Sequence, residues 1–242
     1  PDGGADDTNP PHPKSPPVAP VLVGTGGFGY AVGSAFPGAV APNGLAKIGP
    51  DTKGPWGTIN FLHESGYWYG DDTIQGFSHL HLHGTGASDY GVLGLMPLAS
   101  GEVLDAAHTT PSGYESKFQK SSERAVPGKY AVTLDRGGVG VEITATLHAA
   151  HHRFTWPKGS TDGKVLFDLA HHLSGGSITA GEVTIDAAGK HATGKLHSVG
   201  GMSGGFGGYD VYFEVRAARA WKQSQTWSGG AAPAPGSSVV GA

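Results

Sequence analysis

The chain has 242 residues, with 42 glycines, 17 prolines, no cysteine and a formal net charge of −4. The missing cysteines exclude disulfides, thiolate metal sites and a cysteine nucleophile. The lack of any basic block argues against a nucleic-acid partner, and no apolar run is long enough to form a transmembrane segment. Only 15% of residues are charged, and glycine and proline punctuate the chain throughout. That composition predicts many short strands and turns rather than a helical bundle, in a chain long enough to bury a substantial core.

Residues 1–20, PDGGADDTNPPHPKSPPVAP, read as an extended or disordered tether rich in proline, glycine and aspartate. Such a tether suits an exported chain whose signal has been removed, so a secreted, periplasmic or surface-tethered lipoprotein is expected. Gly24-Thr25-Gly26-Gly27 with Gly29 superficially fits a dinucleotide fingerprint, but no helical pattern follows and Pro37 and Pro42 interrupt the region. An irregular loop whose bare backbone approaches something closely fits better. The segment from Pro55 to Tyr69 then gathers Trp56, Tyr67, Trp68 and Tyr69, aromatics able to stack on the apolar face of a pyranose or to fill a core.

The densest chemistry lies between Ser65 and Pro97, SGYWYGDDTIQGFSHLHLHGTGASDYGVLGLMP. Phe77 to His83 alternate, and a continuous strand would set His79, His81 and His83 on one face opposite Leu80 and Leu82. Gly84-Thr85-Gly86 breaks that strand, Asp89 and Tyr90 follow on or near the loop, and Val92 to Met96 reads as a buried strand closed by Pro97. The histidines form either a hydrogen-bonded polar seam or a transition-metal site.

Glu102 to Glu123 reads as an exposed loop or hairpin of mixed charge. Tyr130–Leu134 and Val139–Leu147, joined by Asp135 to Gly138, give the clearest hairpin pattern. Further strands are expected around FTW (154–156), KVLFDL (164–169), SITAGEVTIDAAG (177–189), KHATGKLHSVG (190–200) and Tyr209–Val215. Of the doublets His151-His152 and His171-His172, each can offer one histidine to one site. No amphipathic helix of three turns and no G-x-S-x-G elbow is present. The fold class is therefore all-β, a large antiparallel β-sandwich over residues 21–227, with 228–242 as a glycine-, alanine- and proline-rich linker.

The blocks GTGGFGYAVGSAFPGAVAPNGLAKIGPDT, SGYWYGDDTIQGFSHLHLHGTGASDYGVLGLMP and SERAVPGKYAVTLDRGGVGVEITATLHAAHHRFTWP, in that order, resemble the amino-terminal region of glycoside hydrolase family 92 over roughly residues 21–220. The resemblance implies the β-sandwich of a calcium-dependent, exo-acting, inverting α-mannosidase, whose catalytic acid, base and most calcium ligands sit on a carboxy-terminal (α/α)6 barrel beyond this chain. The partners implied are that barrel portion, covalent or as a cleaved second chain, and mannose-containing glycans. The chain alone would then be inactive, lending loops to the substrate pocket: Gly24, Thr25, Gly26 and Gly27 by backbone, Trp56 or Trp68 by stacking, and His79, His81, Thr85 and Asp89 by orienting hydroxyls or bracing the loop. A non-catalytic carbohydrate-binding or structural module and a histidine metal-binding protein are the competing readings.

Overall fold

The computed structural model describes residues 20–27, 34–59, 62–84, 89–173, 175–186 and 188–241. In chain order the strands are β1 (Ala39–Val40), β2 (Lys47–Lys53), β3 (Thr73–His79), β4 (Val92–Leu98) and β5 (Ser116–Lys117), then β6 (Arg124–Val126), β7 (Lys129–Thr133), β8 (Gly140–Ala145) and β9 (Ala150–Thr155). After β10 (Lys164–Asp168) come β11 (Ser177–Ile185), β12 (His191–Val199) and β13 (Tyr209–Arg216). Short strands β14 (Gln225–Thr226), β15 (Ala234–Pro235) and β16 (Ser238–Gly241) complete the described chain. The longest helices among the described residues are single turns, such as Pro111–Tyr114.

All pairings among these strands are antiparallel. A first sheet runs β1-β2-β3-β4-β10 with β5 beside β3, a second is the meander β6-β7-β8-β9, and a third runs β13-β12-β11-β16. The predicted hairpin forms as β7 and β8, and its short turn at Arg136–Gly138 is closed by Leu134 N–H donating to Val139 O at 2.9 Å.

Two cores explain the order of the layers. Ile48, Ile74, Phe77, Met96 and Leu98 of the first sheet bury against Tyr130, Val132, Val141 and Ile143 of the second. On the opposite side Val92, Leu93 and Leu95 meet Leu196, with Ile178, Val211 and Phe213 of the third sheet around them. β4 is therefore covered on both faces, and all seven of its residues are buried, which is why its sequence reads as an unbroken apolar run.

Three local expectations change. β3 ends at His79, because Leu80 adopts φ +64° and turns the chain out of the strand. β4 continues past Pro97, which stands opposite Val165 in the ladder. The stretch expected to be exposed between Glu102 and Glu123 instead inserts Tyr114 and Phe118 into the first core and buries Glu123. Its charges are spent on internal pairs such as Arg136 with Glu102, so mixed charge there is not a sign of solvation. Within the 228–242 stretch, Ser238–Gly241 pairs with β11 as the edge of the third sheet.

Phe77 is fully buried between the first two sheets, with its ring centroid 6.4 Å from that of Tyr130. Phe77→Ala is expected to destabilise the chain by about 4 kcal/mol through lost transfer energy and an unfilled cavity. Urea unfolding followed by tryptophan fluorescence would show this as a lower midpoint with an unchanged slope.

Candidate functional site

The two blocks singled out by their glycines and aromatics meet. Gly24 (φ +83°) and Gly27 (φ +111°) turn the backbone through conformations that favour glycine. Between them, buried Thr25 closes the turn by donating its Oγ1 proton to Leu22 O at 2.8 Å. Tyr69 N–H donates to Thr25 O at 2.7 Å, and the Trp68 indole N–H donates to Gly27 O at 3.1 Å. A Cβ on Gly26 would lie 2.8 Å from Tyr69 Cβ, so only a bare backbone fits this approach. Gly24, Thr25, Gly26, Gly27 and Trp68 thus form one wall. Trp56 stands apart on the Gly54-to-Gly57 turn with 82% of its surface exposed.

The aromatic segment is held from behind. Tyr67 is fully buried and donates to Glu123 Oε2 at 2.9 Å, while Tyr130 donates to Glu123 Oε1 at 2.8 Å. Burial, together with the adjacent Glu123 carboxylate, pushes the Tyr67 phenol far up, so it stays a donor. Lys120 Nζ lies 2.7 Å from Tyr67 Oη and 3.6 Å from Glu123 Oε2. The ammonium also sits 4.6, 4.9 and 4.5 Å from the ring centroids of Tyr67, Tyr69 and Phe118, within cation–π range of all three.

The three alternating histidines do not share a face, because the left-handed turn at Leu80 sends them to separate partners. His81 is completely buried, with Nε2 2.8 Å from Asp51 Oδ1 and 3.1 Å from Ser78 Oγ, and Nδ1 3.2 Å from Lys47 O. His83 is exposed and stacks on Phe36 at 4.4 Å. His79 Nδ1 lies 2.8 Å from Leu93 O, and a carbonyl only accepts, so Nδ1 carries the proton. Neutral His79 therefore offers a lone pair at Nε2, to which His152 Nε2–H donates at 3.1 Å. Burial, with some opposition from the Leu93 bond, pushes His79 down to about 4. His152 is pushed well down by burial and by its neighbours His79 and His151.

Asp51 forms the deepest polar knot. His171 Nε2 meets its Oδ2 at 2.5 Å on the side away from His81. Burial alone would raise the Asp51 carboxyl, yet the charge of His81 and the hydrogen bonds from His171 and His81 outweigh it and hold the pKa well below the carboxylate range. Burial likewise opposes His171, but the bond and charge of Asp51 raise it overall. Gly66 (φ +83°) packs so tightly on Asp51 that a Cβ would collide with Oδ1.

Asp89 is buried and accepts from Met202 N–H at 3.0 Å, Ser203 N–H at 2.6 Å and Ser203 Oγ at 2.8 Å, tying the chain just before β4 to the turn at Ser203–Phe206. Thr85 lies outside the described residues. A cleft of about 330 Å³ opens beside His81, lined also by Lys47, Leu80 and Tyr90. Leu80 and Tyr90 (φ +67°) are both in the left-handed region there.

Sequence reasoning missed Asp51, Lys120, Glu123, His152 and His171 as partners. The histidine doublets carried part of the signal, since His152 and His171 point inward while His151 and His172 are exposed. Nothing local marks Lys120 or Glu123. No group of three or more histidine, aspartate or glutamate side chains among the described residues converges in a way that could hold a metal ion. The buried carboxylates are already engaged, Asp51 by two imidazoles, Asp71 by His63 and Thr52, Asp89 by the Ser203 turn and Glu123 by two phenols.

Fold and site together define an antiparallel β-sandwich domain in which a glycine loop and an aromatic segment bond directly and the buried carboxylates named above are engaged internally. The sequence model of the glycosyl hydrolase family 92 N-terminal domain matches residues 19–241, and the chain belongs to that family. It is 32% identical over 155 residues to an uncharacterized secreted glycosidase of Arthroderma benhamiae, covering 61% of this chain and 19% of that protein. A family GH92 α-mannosidase from Bacteroides thetaiotaomicron, solved in complex with mannoimidazole, superposes with a TM-score of 0.66 at 31% identity. That match covers 80% of this chain and 24% of the mannosidase. The family GH92 glycosyl hydrolase ccman5 gives a TM-score of 0.72 at 27% identity over 91% of this chain and 28% of its own. The chain thus spans about a fifth to just over a quarter of the length of these relatives. No helix among the described residues is long and apolar enough to cross a membrane.

Two outcomes follow from the buried knots. Asp51→Asn leaves two imidazoles without their anion and is expected to cost about 3 kcal/mol or more in urea unfolding. His79 and His152 are harder to protonate folded than unfolded, so their contribution is intact above pH 6.5 and is lost as pH falls toward about 4. In His152→Phe, the slope of stability against pH across that window should be shallower than in the unsubstituted chain.

Proposed function

We propose that this chain is the amino-terminal part of a secreted, exo-acting α-mannosidase-like glycoside hydrolase, whose Gly24-to-Gly27 loop and Trp68 form a wall of the sugar pocket. The observation that carries the reading is the direct bonding of those two elements. A glycine backbone presenting polar groups beside an indole face is the combination that grips a pyranose on its edge and its apolar face. Family membership and the family GH92 mannosidases among the structural relatives support the reaction class, and the secreted glycosidase of A. benhamiae supports export.

The acid and base belong on the carboxy-terminal (α/α)6 barrel of the longer protein. An inverting glycosidase needs two carboxyls about 6.5–9.5 Å apart with room for a water, and the buried carboxylates of this domain are committed to holding it together. The described residues do not fit calcium either, since the same carboxylates are engaged and no three candidate ligands converge. Calcium would then be held mainly by the barrel portion.

The full-length protein supplied with calcium is expected to release mannose from the non-reducing ends of α-linked mannosides. Trp68→Ala should raise KM about tenfold, the scale of a lost stacking contact, with kcat changing less. Mannoside binding without hydrolysis by the full-length protein would favour a carbohydrate-binding module instead. If the full-length protein neither binds nor hydrolyses α-mannosides, the assignment is overturned.

A further inference from the structure

We infer that Lys120 is a positioning residue for the substrate wall: its ammonium, boxed by the rings of Tyr67, Tyr69 and Phe118, fixes the attitude of Trp68. This rests on the reading of Trp68 given above. Lys120 lies far along the chain from Trp68 in a different part of the fold, and its side chain crosses to the aromatic segment. Its Nζ is within 5 Å of three ring centroids and 2.7 Å from Tyr67 Oη, with Glu123 Oε2 at 3.6 Å.

The geometry explains why a lysine there would be felt at Trp68. Tyr67 and Tyr69 flank Trp68, and both rings pack about the same cation, whereas the Trp68 indole reaches the other way to Gly27 O. Tyr67 is clamped by burial and by Glu123. Tyr69 is 47% exposed, so its ring depends on the Lys120 ammonium and on its backbone bond to Thr25. Removing the cation loosens the Tyr69 ring beside Trp68 and leaves the Trp68 indole positioned by its bond to Gly27 O and by the backbone bonds of Trp68 with Thr52 Oγ1 and Asp71 N–H. Lys120 also lends a positive centre to a cluster that otherwise holds the Glu123 carboxylate and two phenols. Burial lowers its pKa, with Glu123 and Asp71 pulling the other way.

The test uses the full-length enzyme. Lys120→Met keeps the stem and removes the charge, and is expected to raise KM for an α-mannoside about fivefold with kcat within twofold. In the Trp68→Ala background the same substitution should add nothing, because it acts through that indole. Lys117→Met, at an exposed lysine paired with Asp72, should leave KM unchanged. Where Lys120→Met folds poorly, Tyr69→Leu, at a half-exposed position, takes its place and should give the same rise in KM. Tryptophan emission gives a readout independent of turnover: Lys120→Met should shift it, and should not do so in a Trp68→Phe background. If Trp68→Ala raises KM but Lys120→Met and Tyr69→Leu do not, this inference falls while the pocket reading stands. If the unsubstituted enzyme releases no mannose, the pocket reading falls, and an unshifted emission in Lys120→Met would then overturn the positioning role as well.

Discussion

A carboxylate cannot stay ionised inside a β-sandwich unless donors close around it, and Asp51 sets the terms for much of this domain. Its two oxygens face His81 and His171, which come from the turn after β3 and the loop after β10. Satisfying that one anion draws together three distant pieces of chain and forces Gly66 against it. The left-handed turn at Leu80 follows from the same requirement, since a straight continuation of β3 would carry His81 to the wrong side. What alternates in sequence as one face of histidines is in space two separate internal braces, His79 and His81, with His83 exposed beyond them.

The wall proposed to meet sugar is built on the outside of those braces. Tyr67 anchors inward to Glu123, Trp68 bonds sideways to Gly27, and Tyr69 bonds through its backbone to Thr25. Three consecutive aromatics thus have three different tasks, the middle one lying against the glycine loop. Asp89 extends the same logic to the next loop by gathering the Ser203 turn with one carboxylate. Polar groups among the described residues act mostly on the domain itself.

The sheet architecture was legible because alternation and turn chemistry are local. The β7–β8 hairpin, the buried β4 run and the strands around Lys164 and Tyr209 could each be read from a window of a few residues. The pairing of histidines was not, because period-two reasoning assumes the strand continues, and a single non-glycine residue with positive φ ended it. Glu123 and Lys120 were invisible for another reason. Their surroundings read as a solvated loop, and burial of that loop is decided by Tyr114 and Phe118 finding a core made by strands far away in sequence. The aromatic and glycine residues stood out because their types are unusual at that density, and the structure brings Trp68, not Trp56, against the Gly24–Gly27 loop.

The double covering of β4 has a mechanical meaning. A strand with no dry side to spare and no wet side at all makes the two cores share a boundary, so neither can loosen while the other keeps its packing. The three sheets are then coupled into one cooperative unit, and the loops that leave the ends of the central sheet, among them the run toward His81 and Asp89, start from the least yielding part of the molecule. Whatever those loops touch is presented on a rigid mount.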